Sequence, residues 1–151
     1  MQIGTIAGTA GKMFAGGCHC GQFRFWLEGP LRQGLICHCT DCLRVAGNSW
    51  GSTGVPMDRF ELTAAQTLSW YQSSAWAERG FCGHCGASMF YHLKKKPFIS
   101  IAIGMIDACP KLDFAGQIFA GSFRHNPLVG DVNVPHLDEA LFGQPDPPAG
   151  P

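Results

Sequence analysis

The chain has 151 residues, with 11 Lys+Arg against 11 Asp+Glu, so its formal charge is zero. That balance argues against a nucleic-acid or anionic-membrane surface, and a 46% hydrophobic content argues against wholesale disorder. The 20 Gly and 10 Pro favour many turns and few long helices.

Residues 1–16 are rich in Gly, Ala and Thr without a clear period, which predicts a loose lead-in. No basic segment followed by an apolar block opens the chain, so no secretory signal is expected and a cytoplasmic location is. In Phe23-Arg24-Phe25-Trp26-Leu27 the period is two, which predicts a strand with residues 23, 25 and 27 on one face. Glu28-Gly29-Pro30 ends it, and Leu35-Ile36-Cys37 reads as a strand end running into a loop. A turn or two of helix is expected after Cys42. Arg59–Thr63 and Thr67–Tyr71 read as two strands separated by Ala64-Ala65-Gln66. Ala87–His92, Phe98–Ile103 and Gln117–Ala120 complete the strands, with a second short helix around His136–Phe142. The longest apolar stretch, Phe98 to Ile106, is interrupted by Ser100 and Gly104 and is too short to cross a bilayer. The pattern predicts one mainly β domain over residues 1–143 and a disordered Pro-rich tail over 144–151.

The eight cysteines are the unusual feature. Cys18 and Cys20 form one pair, Cys37, Cys39 and Cys42 a triplet, Cys82 and Cys85 a second pair, and Cys109 stands alone. Such spacings let two thiolates reach one ion from a single turn, and Gly17, Gly21, Gly83 and Gly86 beside them permit tight backbone. Without a secretory signal, zinc explains them better than disulfides or a redox pair. Seven clustered thiols divide as four plus three. The two pairs can close a structural S₄ site, and the triplet can hold a second zinc with one position open. The alternative is a second closed site completed by His38, His19 or His84. Cys109 is expected to be a small buried hydrophobe.

Zinc held by three thiolates carries a formal charge of about −1, which makes it a weak Lewis acid for hydrolysis but a good holder of a substrate thiolate. The chemistry that follows is making or breaking a carbon–sulfur bond. Arg44 and Arg79 are the candidate cations to offset the negative charge, and His38 is a candidate proton shuttle, although its place between two ligands turns its side chain away from a shared ion.

Gly16-Gly17-Cys18-His19-Cys20-Gly21, Cys37-His38-Cys39-x-x-Cys42 with Gly47 following, and Phe81-Cys82-x-x-Cys85-Gly86 occur in that order. Together, over about residues 14–120, they resemble the glutathione-dependent formaldehyde-activating enzyme family, which includes centromere protein V-like proteins. The resemblance implies a β-tent of small antiparallel sheets around zinc, with Cys18, Cys20, Cys82 and Cys85 structural and Cys37, Cys39 and Cys42 catalytic. It also implies a carbon–sulfur lyase acting on a glutathione adduct such as S-hydroxymethylglutathione. The chain departs from the family where Cys-Arg-Lys is common: Cys42-Leu43-Arg44 has one basic residue fewer, which points to a less anionic thiol. Gln117-Ile118 stands where a His-Ile pair is common, and Asp107-Ala108-Cys109-Pro110 replaces a Leu-Asp-Asp-Pro turn.

Two other functions fit parts of the pattern. A non-catalytic zinc module could bind a protein through Trp26, Trp50, Trp70 and Trp76, although core packing is the ordinary fate of tryptophan. The run Lys94-Lys95-Lys96 is expected to be a solvated turn rather than a nucleic-acid patch. A methionine-sulfoxide-reductase-like protein would use Cys109 as nucleophile but leaves the triplet without a purpose.

Overall fold

Phe23, Phe25 and Leu27 alternate with Arg24, Trp26 and Glu28, and that alternation builds the core. In the computed structural model, which describes residues 3–119, the three apolar side chains are fully buried. They lie on β2 (Phe23–Glu28), which pairs with β1 (Met13–Gly17) and β5 (Phe60–Ala65) in a three-stranded sheet. The remaining strands are β3 (Gly34–Cys37), β4 (Trp50–Pro56), β6 (Leu68–Tyr71), β7 (Ala77–Cys82), β8 (Ser88–Leu93), β9 (Phe98–Ala102) and β10 (Phe114–Ile118). They form a seven-stranded sheet in the order β10-β3-β4-β9-β8-β7-β6. The described fold is mainly β, as expected. Its strand pairs are antiparallel except β10 with β3, which run parallel. No helix among the described residues is long and apolar enough to cross a membrane.

The larger sheet has two different faces. Thr53 pairs with Ile101, Val55 with Ile99, and Phe90 with Ile101, so these side chains share one face. Val55, Phe90, Ile99 and Ile101 pack there with Phe23, Phe25 and Leu27 in the main core. Phe90 is its hub, with edge-on rings of Phe23, Phe25 and Phe60 at 5.4, 5.5 and 5.2 Å. On the opposite face Cys37 pairs with Trp50, Leu35 with Ser52, Gly54 with Ser100, Ser100 with Tyr91, and Tyr91 with Arg79. This second face carries the candidate site.

Several expectations are corrected. The N-terminal segment is not a loose lead-in. Ile6 is buried in the core and its N–H donates to Leu31 O at 2.8 Å, while buried Thr9 donates to Ile6 O and accepts from Leu31 N–H. Its small residues hide the pattern because they are what the packing demands: a Cβ on Gly16 would lie 2.3 Å from Phe25 Cζ. Strands β4 and β7 carry no clear signal, since Trp-Gly-Ser-Thr-Gly-Val-Pro is mostly small residues and Ala-Glu-Arg-Gly-Phe-Cys places a charge, Arg79, inside. The expected strand at Gln117–Ala120 begins earlier, at Phe114, and its end at Ala120 lies outside the described residues, as do the expected helix at His136–Phe142 and the tail 144–151. The two strands expected after Arg59 exist but belong to different sheets. The helix expected after Cys42 is α1 (Thr40–Ala46), which contains Cys42.

Candidate metal centres and the adjoining cavity

The first sulfur cluster joins two turns that are far apart in sequence. Cys18 and Cys20 follow β1, and Gly21 closes their turn in the left-handed region at φ 75°, donating to Cys18 O at 3.1 Å. Cys82 ends β7, and Gly86 closes the second turn in the same conformation, donating to Cys82 O at 2.8 Å. Only glycine takes this conformation without a steric penalty. The four Sγ atoms lie within 4.8 Å of one another. Cys18 and Cys20 are 3.4 Å apart and Cys20 and Cys82 are 3.8 Å apart. A tetrahedral zinc with Zn–S bonds of about 2.3 Å needs sulfurs roughly 3.8 Å apart, so this group fits the metal.

The second cluster is made where β3 runs into α1. Cys37 is the last residue of β3, Cys39 caps α1 with its Sγ 3.5 Å from the Cys42 N–H, and Cys42 sits buried in the helix. Gly47 at φ 75° ends the helix. The three Sγ atoms again lie within 4.8 Å, and no fourth His, Cys, Asp or Glu among the described residues joins them. Burial pushes the Cys42 thiol up to about 12, against the opposing pull of Arg79. Such a thiol gives up its proton at neutral pH when a metal ion takes the proton's place, so this donor set also suits zinc.

A cavity of about 350 Å³ opens on the triplet. Arg79, only 4% exposed, points Nη2 at Cys42 Sγ across 3.5 Å. Its guanidinium lies 5.0 Å from the Tyr91 ring and 5.9 Å from the Trp50 ring. Arg79 Nε and Nη1 and Trp50 Nε1 are buried without hydrogen-bond partners, and both residues line the cavity. Unpaired buried donors of this kind are costly unless a ligand satisfies them. Arg44, the other candidate cation, is exposed in the last turn of α1 and does not line the cavity. The charge beside the triplet therefore comes from β7 and not from the segment that follows Cys42.

His38 is buried, with Nε2 2.7 Å from Gln117 Oε1 and its backbone N–H donating to Ile118 O. It belongs to neither sulfur cluster and does not line the cavity. His19 and His84 are exposed and also stand outside both clusters. Cys109 is exposed rather than buried, in the irregular segment that precedes β10. Trp50 is the buried tryptophan of the four. Trp26, Trp70 and Trp76 are exposed, and Trp76 borders the cavity. Lys94, Lys95 and Lys96 occupy the exposed β8–β9 turn, as expected. Arg32, half-buried in the same cavity, has no motif that marks it in the sequence.

Residues 13–122 match the protein family described as "Glutathione-dependent formaldehyde-activating enzyme". A Talaromyces marneffei protein named "Putative glutathione-dependent formaldehyde-activating enzyme" is 32% identical over 93 residues, covering 58% of this chain. The aligned region is 48% of that relative's length, so the chain spans about half of it. The crystal structure of a Rhodobacter sphaeroides protein superposes with a TM-score of 0.54 at 19% identity, over 64% of this chain and 91% of that one, a likeness of fold. The family match takes in every strand of both sheets and all seven clustered cysteines, and by it the chain belongs to the glutathione-dependent formaldehyde-activating enzyme family.

Proposed function

We propose that the chain is a carbon–sulfur lyase that acts on a thiol adduct of the S-hydroxymethylglutathione type, with Cys37, Cys39 and Cys42 holding a catalytic zinc and Cys18, Cys20, Cys82 and Cys85 a structural one. The observation that carries this reading is the buried Arg79 set against Cys42 in a cavity that opens on three thiols without a fourth side-chain ligand among the described residues. Zinc at the triplet would supply a cation that keeps the substrate sulfur as thiolate. In the cleavage direction the carbon–sulfur bond breaks with its electron pair going to sulfur. The hydroxyl oxygen forms the carbonyl of the aldehyde, and its proton is released. Condensation is the reverse.

The protein's own groups divide this work. Arg79 offsets the negative charge of the cysteine sulfurs. Its unpaired N–H groups and the Trp50 indole N–H are donors for the oxygen on the reacting carbon. Trp76, Ile118 and Phe119 give the cavity an apolar border. His38, tied to Gln117, fixes the turn between Cys37 and Cys39 as a positioning residue. Arg44 lies too far out on α1 to share in the step. A Cys39→Ser protein should stay folded by circular dichroism and release no aldehyde from the adduct. A folded variant with undiminished release overturns the reading. The exposed Trp26, Trp70 and Trp76 favour the second reading, a non-catalytic zinc module that binds a protein, which a zinc-loaded wild type without turnover would support.

A further inference from the structure

The cavity at the triplet holds a second cation that the reaction just described does not use. Arg32 precedes β3, and its backbone N–H is anchored on Gly54 O at 2.9 Å. Its Nη2 donates to Ser52 Oγ at 3.1 Å and to Ser52 O at 3.3 Å, and its guanidinium lies over the Phe98 ring at 5.9 Å. Its Nε is buried without a partner. No carboxylate answers this charge. Among the described residues Asp107 pairs with Arg24 and Glu78 contacts His92, and Asp41, which also lines the cavity, pairs with neither Arg32 nor Arg79. Burial lowers the affinity of Arg32 for its proton, as expected for a guanidinium withdrawn from water without a counter-charge. Such a group still stays charged, and keeping it half-buried is costly unless an anion arrives.

The position of Arg32 defines what that anion is attached to. Its partner Ser52 is two residues along β4 from Trp50, whose register partner is Cys37. That is roughly 7 Å at the rise of a β-strand, so the site lies several bonds from a sulfur seated at the triplet. A smaller cavity of about 250 Å³ adjoins through shared Tyr91 and Ser100 and brings Lys96 to its rim. Arg79 sets its Nη2 against Cys42, whereas the planar guanidinium of Arg32 lines the same cavity farther along β4, and its shape matches a carboxylate.

We infer that Arg32, backed by Ser52, is the receptor for a carboxylate of the thiol substrate and so a specificity-determining residue of the cavity. This rests on the lyase reading for the word substrate, but the binding geometry stands apart from turnover. It also reverses the expectation of a less anionic thiol drawn from the basic residue missing after Cys42. The lost charge is replaced from elsewhere in the fold.

The test is calorimetric titration of the zinc-loaded full chain with glutathione and with glutathione diethyl ester, whose carboxylates are masked. Glutathione should bind about 10-fold or more tightly than the ester, and Arg32→Gln should narrow the gap to within about 2-fold by weakening glutathione. Zinc content and melting temperature, measured alongside, should be unchanged. An Arg32→Gln protein that keeps the full gap, or a wild type that shows none, overturns the assignment. If Arg32→Gln fails to fold, Arg32→Lys, which keeps charge but loses the fork, should show a reduced gap, and an undiminished one overturns it. Turnover of S-hydroxymethylglutathione is recorded in parallel. A gap that depends on Arg32 in a protein without turnover supports the receptor while removing the lyase reading.

Discussion

Arg79 and Cys42 stand 37 residues apart in the chain, yet the guanidinium Nη2 lies 3.5 Å from the thiol sulfur. The contact depends on β7 lying across the larger sheet from the turn that feeds α1. Three features follow from it: a cation faces the triplet, the cavity gains a buried donor, and the Trp50 and Tyr91 rings are held around a cation. Arg79→Met should cut turnover of the adduct by about 10- to 100-fold, with Arg79→Lys recovering only part, because the ammonium keeps charge without the planar fork. Arg79→Met should also speed loss of triplet zinc to a chromogenic chelator. Steady-state kinetics and zinc release, measured on the same preparations, check both.

The two sulfur groups should differ in how they hold metal. Elemental analysis of the purified protein is expected to give two zinc ions per chain, one for each group. A mild chelator should remove the triplet ion first and leave the circular dichroism spectrum unchanged. Removing the other should unfold the domain, since Cys18 and Cys20 are tied through it to Cys82, more than 60 positions along. Structural zinc contributes on the order of 10–16 kcal/mol in small zinc peptides, as much as a whole domain's net stability. Cys82→Ser should therefore fail to fold stably, while Cys39→Ser melts near the wild type. Thermal melts of the two proteins settle the contrast.

Phe90→Ala should cost about 3–5 kcal/mol in denaturant unfolding, the range for emptying a buried aromatic site. Phe90 is fully buried and touches the rings of Phe23, Phe25, Phe60 and Trp70, so one truncation loosens both sheets at once.

Gly54→Ala tests the cavity face instead of the core. A Cβ at Gly54 would lie 2.5 Å from Ile99 O and 2.5 Å from Phe98 Cε1. Relieving that clash parts β4 from β9 and moves the ring on which Arg32 rests. The expected destabilisation is about 1–3 kcal/mol by chemical denaturation, with weaker binding of carboxylated thiols by titration calorimetry.

The candidate metal-ligating groups were legible because their information is local. Cys18 with Cys20, Cys37 with Cys39 and Cys42, and Cys82 with Cys85 each fall within one turn, so spacing alone shows which thiols can share an ion. The alternation in Phe23–Leu27 was legible for the same reason. The N-terminal segment and β4 were not, because strands of small residues are selected by what packs over them, and that lies elsewhere in the chain.

By itself, then, the order of residues determined that the chain is mainly β and that seven of its cysteines fall into two pairs and a triplet. The tertiary structure alone decided which charges face the triplet. Adjacency in sequence favoured Arg44, but a side chain in the last turn of a short helix points to water. Strand pairing brought Arg79 and Arg32 to one cavity, since register across β3, β4, β9, β8 and β7 sets which side chains share a face and no single segment records it.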